Sequence, residues 1–183
     1  MNGFTSNASL IIYPDDPNWV PGDFEEVTAF LRNTGLITDY IPGKEQSYFV
    51  GDNFLELISF MGCSPNINLT PQDDPDKFCF IKLISKKEIT AHTSQHTHSP
   101  LCPHCKKPEK DWLKTMTNTT LPCSSCGQVS APWNYNWRKS AGFGRFFIEV
   151  TEIYPKEAIP QPALLSALEQ QHGTSWAYFY LYS

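Results

Sequence analysis

"GFGRFFIEVTEIYP", residues 142–155, alternates its side chains: Phe146, Ile148 and Val150 fall on one side, Phe147, Glu149 and Thr151 on the other. A two-residue period of this kind marks a β-strand with two unlike faces. Upstream, "KFCFIKLIS", residues 77–85, reads as a second strand in which Cys79 alternates with apolar neighbours and behaves as a small buried hydrophobe. Between the two lie the 56 residues Lys86–Ala141, which hold most of the histidines and four cysteines. A hairpin loop tolerates such an insertion, because lengthening a loop adds little closure entropy and leaves the strand ladder intact.

The pattern continues outward on both sides. "SLIIY", residues 9–13, is a short strand ended by Pro14. "PGDFEEVTAFLRNTG", residues 21–35, reads as a helix with Asp23 as N-cap, Glu26 completing a capping box, an apolar face of Phe24, Val27 and Leu31, and Gly35 as terminator. A second helix is predicted in "GDNFLELISFMG", residues 51–62, between Asp52 and Gly62. Beyond residue 155, "PQPALLSALEQQHG" predicts a helix opened by prolines and closed by Gly173, and "SWAYFYLYS" a final strand. The order β-α-(α)-β, insert, β-α-β predicts an α+β fold of the ferredoxin-like, split βαβ kind, a four-stranded antiparallel sheet with helices on one face. Residues 1–85 and 142–183 form one body, and residues 86–141 an inserted module.

The chain has 183 residues with 40% hydrophobic and 14% aromatic side chains, enough for a sizeable core. "MNGFTSNASLIIYP" lacks the basic and apolar regions of a signal peptide, and no apolar run approaches the ~20 residues that span a bilayer. A cytoplasmic protein with reduced thiols is expected. The net charge of −5 is unevenly spread: residues 1–81 carry three Lys/Arg against twelve Asp/Glu, residues 82–145 ten against three. A basic middle in an acidic body either attracts a polyanion or complements the rest of its own molecule.

"LCPHCKKPEKDWLKTMTNTTLPCSSC", residues 101–126, places Cys102, Cys105, Cys123 and Cys126 in two Cys-x2-Cys pairs with seventeen residues between them. Each pair can converge two thiolates on one ion, and two pairs complete a tetrahedron with no position left for substrate. This predicts one structural Zn2+. Disulfides compete only in an oxidising compartment, and a thioredoxin-like site needs a single pair on a strand–helix turn. Residues 101 to about 137 resemble the zinc-ribbon modules, in which two knuckles tip a pair of β-hairpins. Gly127 follows the second knuckle as it commonly does in ribbons; Lys106 stands in that place in the first, so a different turn is expected there.

Around the knuckles, Lys106, Lys107, Lys110, Lys114 and Arg138 with Trp133, Tyr135 and Trp137 form a candidate contact surface, the aromatics alternatively sealing the ribbon to the body. His92, His96 and His98 read as a solvated loop or a second metal site. In the last strand, Trp176, Tyr178, Tyr180 and Tyr182 fall on one face and Ala177, Phe179 and Leu181 on the other. If helices cover only the second set, the aromatic row lies open to stack bases, or else the helix at 52–61 and the connection 36–50 fold over and bury it. "AGFGRFFIEV" bears a partial likeness to the third-strand signature of RNA-recognition motifs, departing from it at Ala141 and Arg145. No nucleophile elbow, phosphate loop or dinucleotide fingerprint is present. The expected function is therefore non-enzymatic: a zinc-stabilised module that binds another macromolecule, a protein first and RNA or single-stranded DNA second. An enzyme would have to use Cys63 or the His92/His96/His98 cluster.

Overall fold

In the computed structural model, residues 8–61, 67–72, 77–154 and 156–182 are described. Their elements run β1 (Ala8–Pro14), α1 (Phe24–Thr34), β2 (Ile37–Tyr40), β3 (Ser47–Val50), α2 (Phe54–Leu57), β4 (Ile58–Phe60), β5 (Ile81–His92), α3 (Trp112–Thr115), β6 (Leu121–Pro122), β7 (Val129–Ser130), β8 (Gly142–Ile153), β9 (Ala158–Pro160), α4 (Pro162–His172) and β10 (Trp176–Tyr182). The main sheet has six strands in the order β10-β1-β8-β5-β3-β2, every neighbouring pair antiparallel.

The four strands expected from the sequence stand side by side as β10-β1-β8-β5, but the sheet is not four-stranded. The stretch 36–50 folds neither over a face nor as a plain connection. It forms a hairpin, β2–β3, that adds to the β5 edge, with Tyr40 and Tyr48 paired at its far end (centroids 5.9 Å) and Gly43 at φ 79° in its turn. The second helix is also shorter than expected. After one turn, Ile58 and Phe60 resume strand alternation as β4 and pair with β9, because a β-branched residue followed by an alternating aromatic favours the extended chain.

α1 and α4 cover one face of the sheet. Asp23 caps α1 by accepting from the Glu25 amide at 2.9 Å, while Glu26 accepts from Gln171 on α4 instead of closing a capping box. Val27, Leu31, Leu164 and Leu168 meet Leu10, Ile12, Leu83, Phe146, Ile148 and Val150 in the main core. Trp176 and Tyr180 are buried in this core, with Tyr178 and Tyr182 packed against it. The aromatic row of β10 therefore points toward the helices, the reverse of an open stacking face. Ile11, Phe147 and Phe179 are buried on the opposite face. There, a methyl group on Gly142 would run into the Phe179 ring, so this glycine permits the close approach.

β5 and β8 pair from Ile81↔Val150 to His92↔Gly142, with a register shift between Ser85 and Thr90. Residues 93–141 lie between their ends. They fold back on the sheet as well: the Tyr180 amide donates to the Lys139 carbonyl at 3.1 Å, on the outer side of β10. No helix among the described residues is long and apolar enough to cross a membrane.

Candidate metal centre

The two knuckles fold by the same backbone rule. Cys102 donates its amide to the Lys107 carbonyl and accepts from the Lys106 amide; Cys123 donates to Gln128 and accepts from Gly127, at 2.9–3.0 Å throughout. The residue four positions after the first cysteine must take a left-handed conformation in each turn, φ 62° at Lys106 and φ 73° at Gly127. The expected difference between the turns is therefore absent: Lys106 adopts the glycine geometry, and its Nζ donates to the Pro103 carbonyl at 2.7 Å.

These turns bring the four sulfurs within 4.8 Å of one another. The Cys102–Cys126 and Cys105–Cys123 sulfurs are 3.8 and 3.7 Å apart. Sulfurs placed about 2.3 Å from a central zinc in a tetrahedron stand about 3.8 Å apart, whereas a disulfide would need about 2.05 Å. All four cysteines, and Cys79, are unbonded thiols. Burial pushes the Cys102 thiol up, but amide donors at Cys105 and His104 outweigh it and bring it down to about 6. At Cys126 the Gln128 amide lowers the value, yet burial and three neighbouring sulfurs carry it up to about 11. Four thiolates so close repel one another unless a cation sits among them. The arrangement can hold a metal ion, and no fifth side chain is needed.

Support comes from below. Cys102 and Cys123 are buried with Trp112, Leu121, Tyr135, Trp137, Ala141 and Phe143. Tyr135 Oη donates to the Leu121 carbonyl at 2.9 Å and Trp137 Nε1 to Pro132 at 2.8 Å, so both polar tips are satisfied. Trp137 lies edge-on to Trp112 (5.0 Å) and against Phe143 of β8 (5.1 Å), which ties this small core to the long strand. Tyr135 and Trp137 thus form the seal and leave the contact surface. Trp133 is half-buried; Lys106, Lys107, Lys110, Lys114 and Arg138 are exposed, with Lys114 paired to Asp111 at 3.2 Å and Arg138 donating to the Ser99 carbonyl.

Sequence reading missed Glu109. Its buried carboxylate accepts from the Ser124 amide and hydroxyl, at 2.6 and 2.8 Å, and from the Asp111 amide at 3.2 Å. Burial raises its pKa, but these donors more than offset that and hold it below the ordinary carboxylate value. The only available signal was an acidic residue inside a run of lysines.

His92, His96 and His98 do not converge: among the described residues the four cysteines are the only group of three or more such side chains that does. His92 packs on Phe147 (4.0 Å), His96 sits at the edge of Tyr182 (6.2 Å), and the loop is pinned by hydrogen bonds from Thr97 Oγ1 and the His98 amide to Ser140. His104 is a spacer, its Nε2 2.9 Å from Ser130 Oγ. Cys63 lies outside the described residues. No protein family, curated protein or solved structure matches this chain.

Proposed function

We propose that Cys102, Cys105, Cys123 and Cys126 hold one structural Zn2+, and that the module they clamp binds another protein. The observation that carries the reading is the convergence of the four sulfurs within 4.8 Å, with two of their separations, 3.8 and 3.7 Å, at the spacing a tetrahedral zinc requires. A closed set of four sulfurs stabilises a fold and leaves no position at which water or substrate could be activated. On this reading residues 86–141 are a zinc ribbon inserted in a ferredoxin-like body of residues 1–85 and 142–183, extended by the β2–β3 hairpin, and the protein works in the cytoplasm. The strand order β10-β1-β8-β5 supports that body, being the order a split βαβ sheet takes.

The contact surface is Lys106, Lys107, Lys110 and Arg138 with the accessible part of Trp133; the module also exposes Leu113 (75%) and Val129 (58%). Mixed cationic and apolar exposure suits an acidic protein surface. Metal analysis of the purified chain tests the first half: one equivalent of zinc is expected, and less than about half an equivalent overturns it. For the second half, partner capture is compared between the native chain and a Lys106→Glu/Lys107→Glu/Lys110→Glu variant, beside titration with RNA and single-stranded DNA. Capture of an acidic protein lost in the variant supports the reading. Salt-sensitive nucleic-acid binding lost in the same variant favours the nucleic-acid alternative, for which the basic segment remains but the sheet aromatics do not.

A further inference from the structure

A cleft of 510 Å³ opens against the edge of β5 and is lined by none of the cysteines. β3 pairs with β5 only at Ile81 and Lys82, and the Leu83 amide adds one bond to the Gln46 carbonyl (2.9 Å). Beyond that point no described strand flanks this side of β5, and the cleft occupies the space.

Its charge is unbalanced. Lys44, Lys82 and Lys86 line it, and none makes an ion pair; the pair at Lys114 and Asp111 is the only one among the described residues. Lys44 Nζ sits 5.4 Å over the Phe80 ring. Against three ammonium groups stand one lining carboxylate, Glu45, and Glu149, which faces Lys82 across the β5–β8 ladder. Two polar atoms within this lining are shielded from water and have no partner: Gln46 Oε1 and His92 Nε2. Such atoms are rare in folded proteins, where buried polar groups are nearly always paired. Gln46 is held at φ 52° at the end of the β2–β3 turn, which fixes its backbone beside the cleft. The His92 ring is fixed against Phe147, and burial with Lys86 nearby lowers its pKa to about 4, so it is a neutral hydrogen-bonding group and not a fourth cation.

We propose that this cleft binds a small phosphate-bearing anion, its phosphoryl oxygens held by Lys44, Lys82 and Lys86 and its remaining polar groups by Gln46 and His92. A phosphoryl group carries about two charges and several acceptor oxygens, which three unpaired ammonium groups complement better than a single carboxylate would. The volume falls within the ~300–1,000 Å³ that encloses a small organic ligand. The site is independent of the metal centre and of its partner.

Calorimetric titration of the full zinc-loaded chain tests this, with inorganic pyrophosphate and ADP as probes and zinc content measured before and after. One saturable site is expected. A Lys82→Gln/Lys86→Gln variant weakens it about tenfold or more, His92→Phe weakens it while keeping the ring stack, and a Lys106→Gln/Lys107→Gln/Lys110→Gln variant leaves it unchanged. Tighter ADP marks a nucleotide as the natural source; equal or tighter pyrophosphate marks a simpler phosphate. The proposal is overturned if neither probe binds up to about 10 mM, if the Lys82/Lys86 variant binds equally well, or if only the Lys106 set matters. It also fails if single-stranded RNA binds and both small probes do not.

Discussion

Glu109 joins the two knuckles: from just beyond the first, one of its carboxylate oxygens accepts both the amide and the hydroxyl of Ser124, which lies inside the second. The pair is part-buried and charge-assisted, so each bond counts more than a neutral one. Glu109→Gln retains the shape and removes the charge. The expected cost is about 1–3 kcal/mol, read as a lower urea midpoint and faster zinc loss to a chelator. A variant as stable as the native chain would show that the contact carries no weight.

Lys106 and Gly127 fill the same left-handed position with unlike residues. A side chain there costs roughly 1–2 kcal/mol that glycine avoids. Lys106→Gly should therefore raise the thermal midpoint, by an amount reduced by the lost bond to Pro103. Gly127→Ala should lower it, and calorimetry of both variants checks the two signs together.

The β5 strand and the cysteine module were legible because their signals are local. Spacing alone identifies two knuckles, and alternation identified the strands that became β1, β5, β8 and β10. What escaped depended on partners distant in the chain. The hairpin Ile37–Val50 is a strand pair only because β5 offers an edge. The face taken by Tyr178 and Tyr180 is set by α1 and α4, not by β10, since a two-residue period leaves the choice of face open. Glu109 is invisible for the same reason: its partner sits fifteen positions away in the other knuckle.

On the proposed reading, removing the metal should unfold the cysteine segment before the main sheet. Trp112 and Trp137 meet edge-on in the small core beneath the sulfurs, whereas Trp19 and Trp176 pack in the main core. Chelation, or Cys102→Ser with Cys123→Ser, should erase the near-ultraviolet circular dichroism of the first pair while far-ultraviolet strand signal persists. Simultaneous loss of both signals would mean that the sheet depends on the metal as well.

His92 makes stability pH-dependent. Burial first, then Lys86, lowers its folded pKa from 6.5 to about 4, with Lys44 and Lys82 in the same cleft. Between these values the unfolded chain binds a proton that the folded chain refuses. The contribution is whole above pH 6.5 and is lost as the pH falls toward 4, to at most about 3 kcal/mol, less because the ring is partly solvated. His172, also lowered by burial, adds to the same slope. Urea midpoints at pH 7 and 5.5 should differ less for His92→Gln than for the native chain; equal differences would refute this account.

Gly142→Val should destabilise the sheet. The added side chain meets the Phe179 ring at the point where β8 enters the sheet. Overpacking of this kind costs about 1–3 kcal/mol, measurable by denaturant titration, and Phe179→Ala should recover part of it in the double variant.

The Lys139 carbonyl, which receives the Tyr180 amide, gives the module a second duty. β10 is the last strand on its side, and an unguarded outer strand recruits copies of itself. By taking up one amide of that edge, the segment next to the cysteine loops acts as a gatekeeper against self-association. On the proposed zinc reading, zinc starvation reveals itself first as concentration-dependent aggregation rich in intermolecular β-structure, before any loss of the interior.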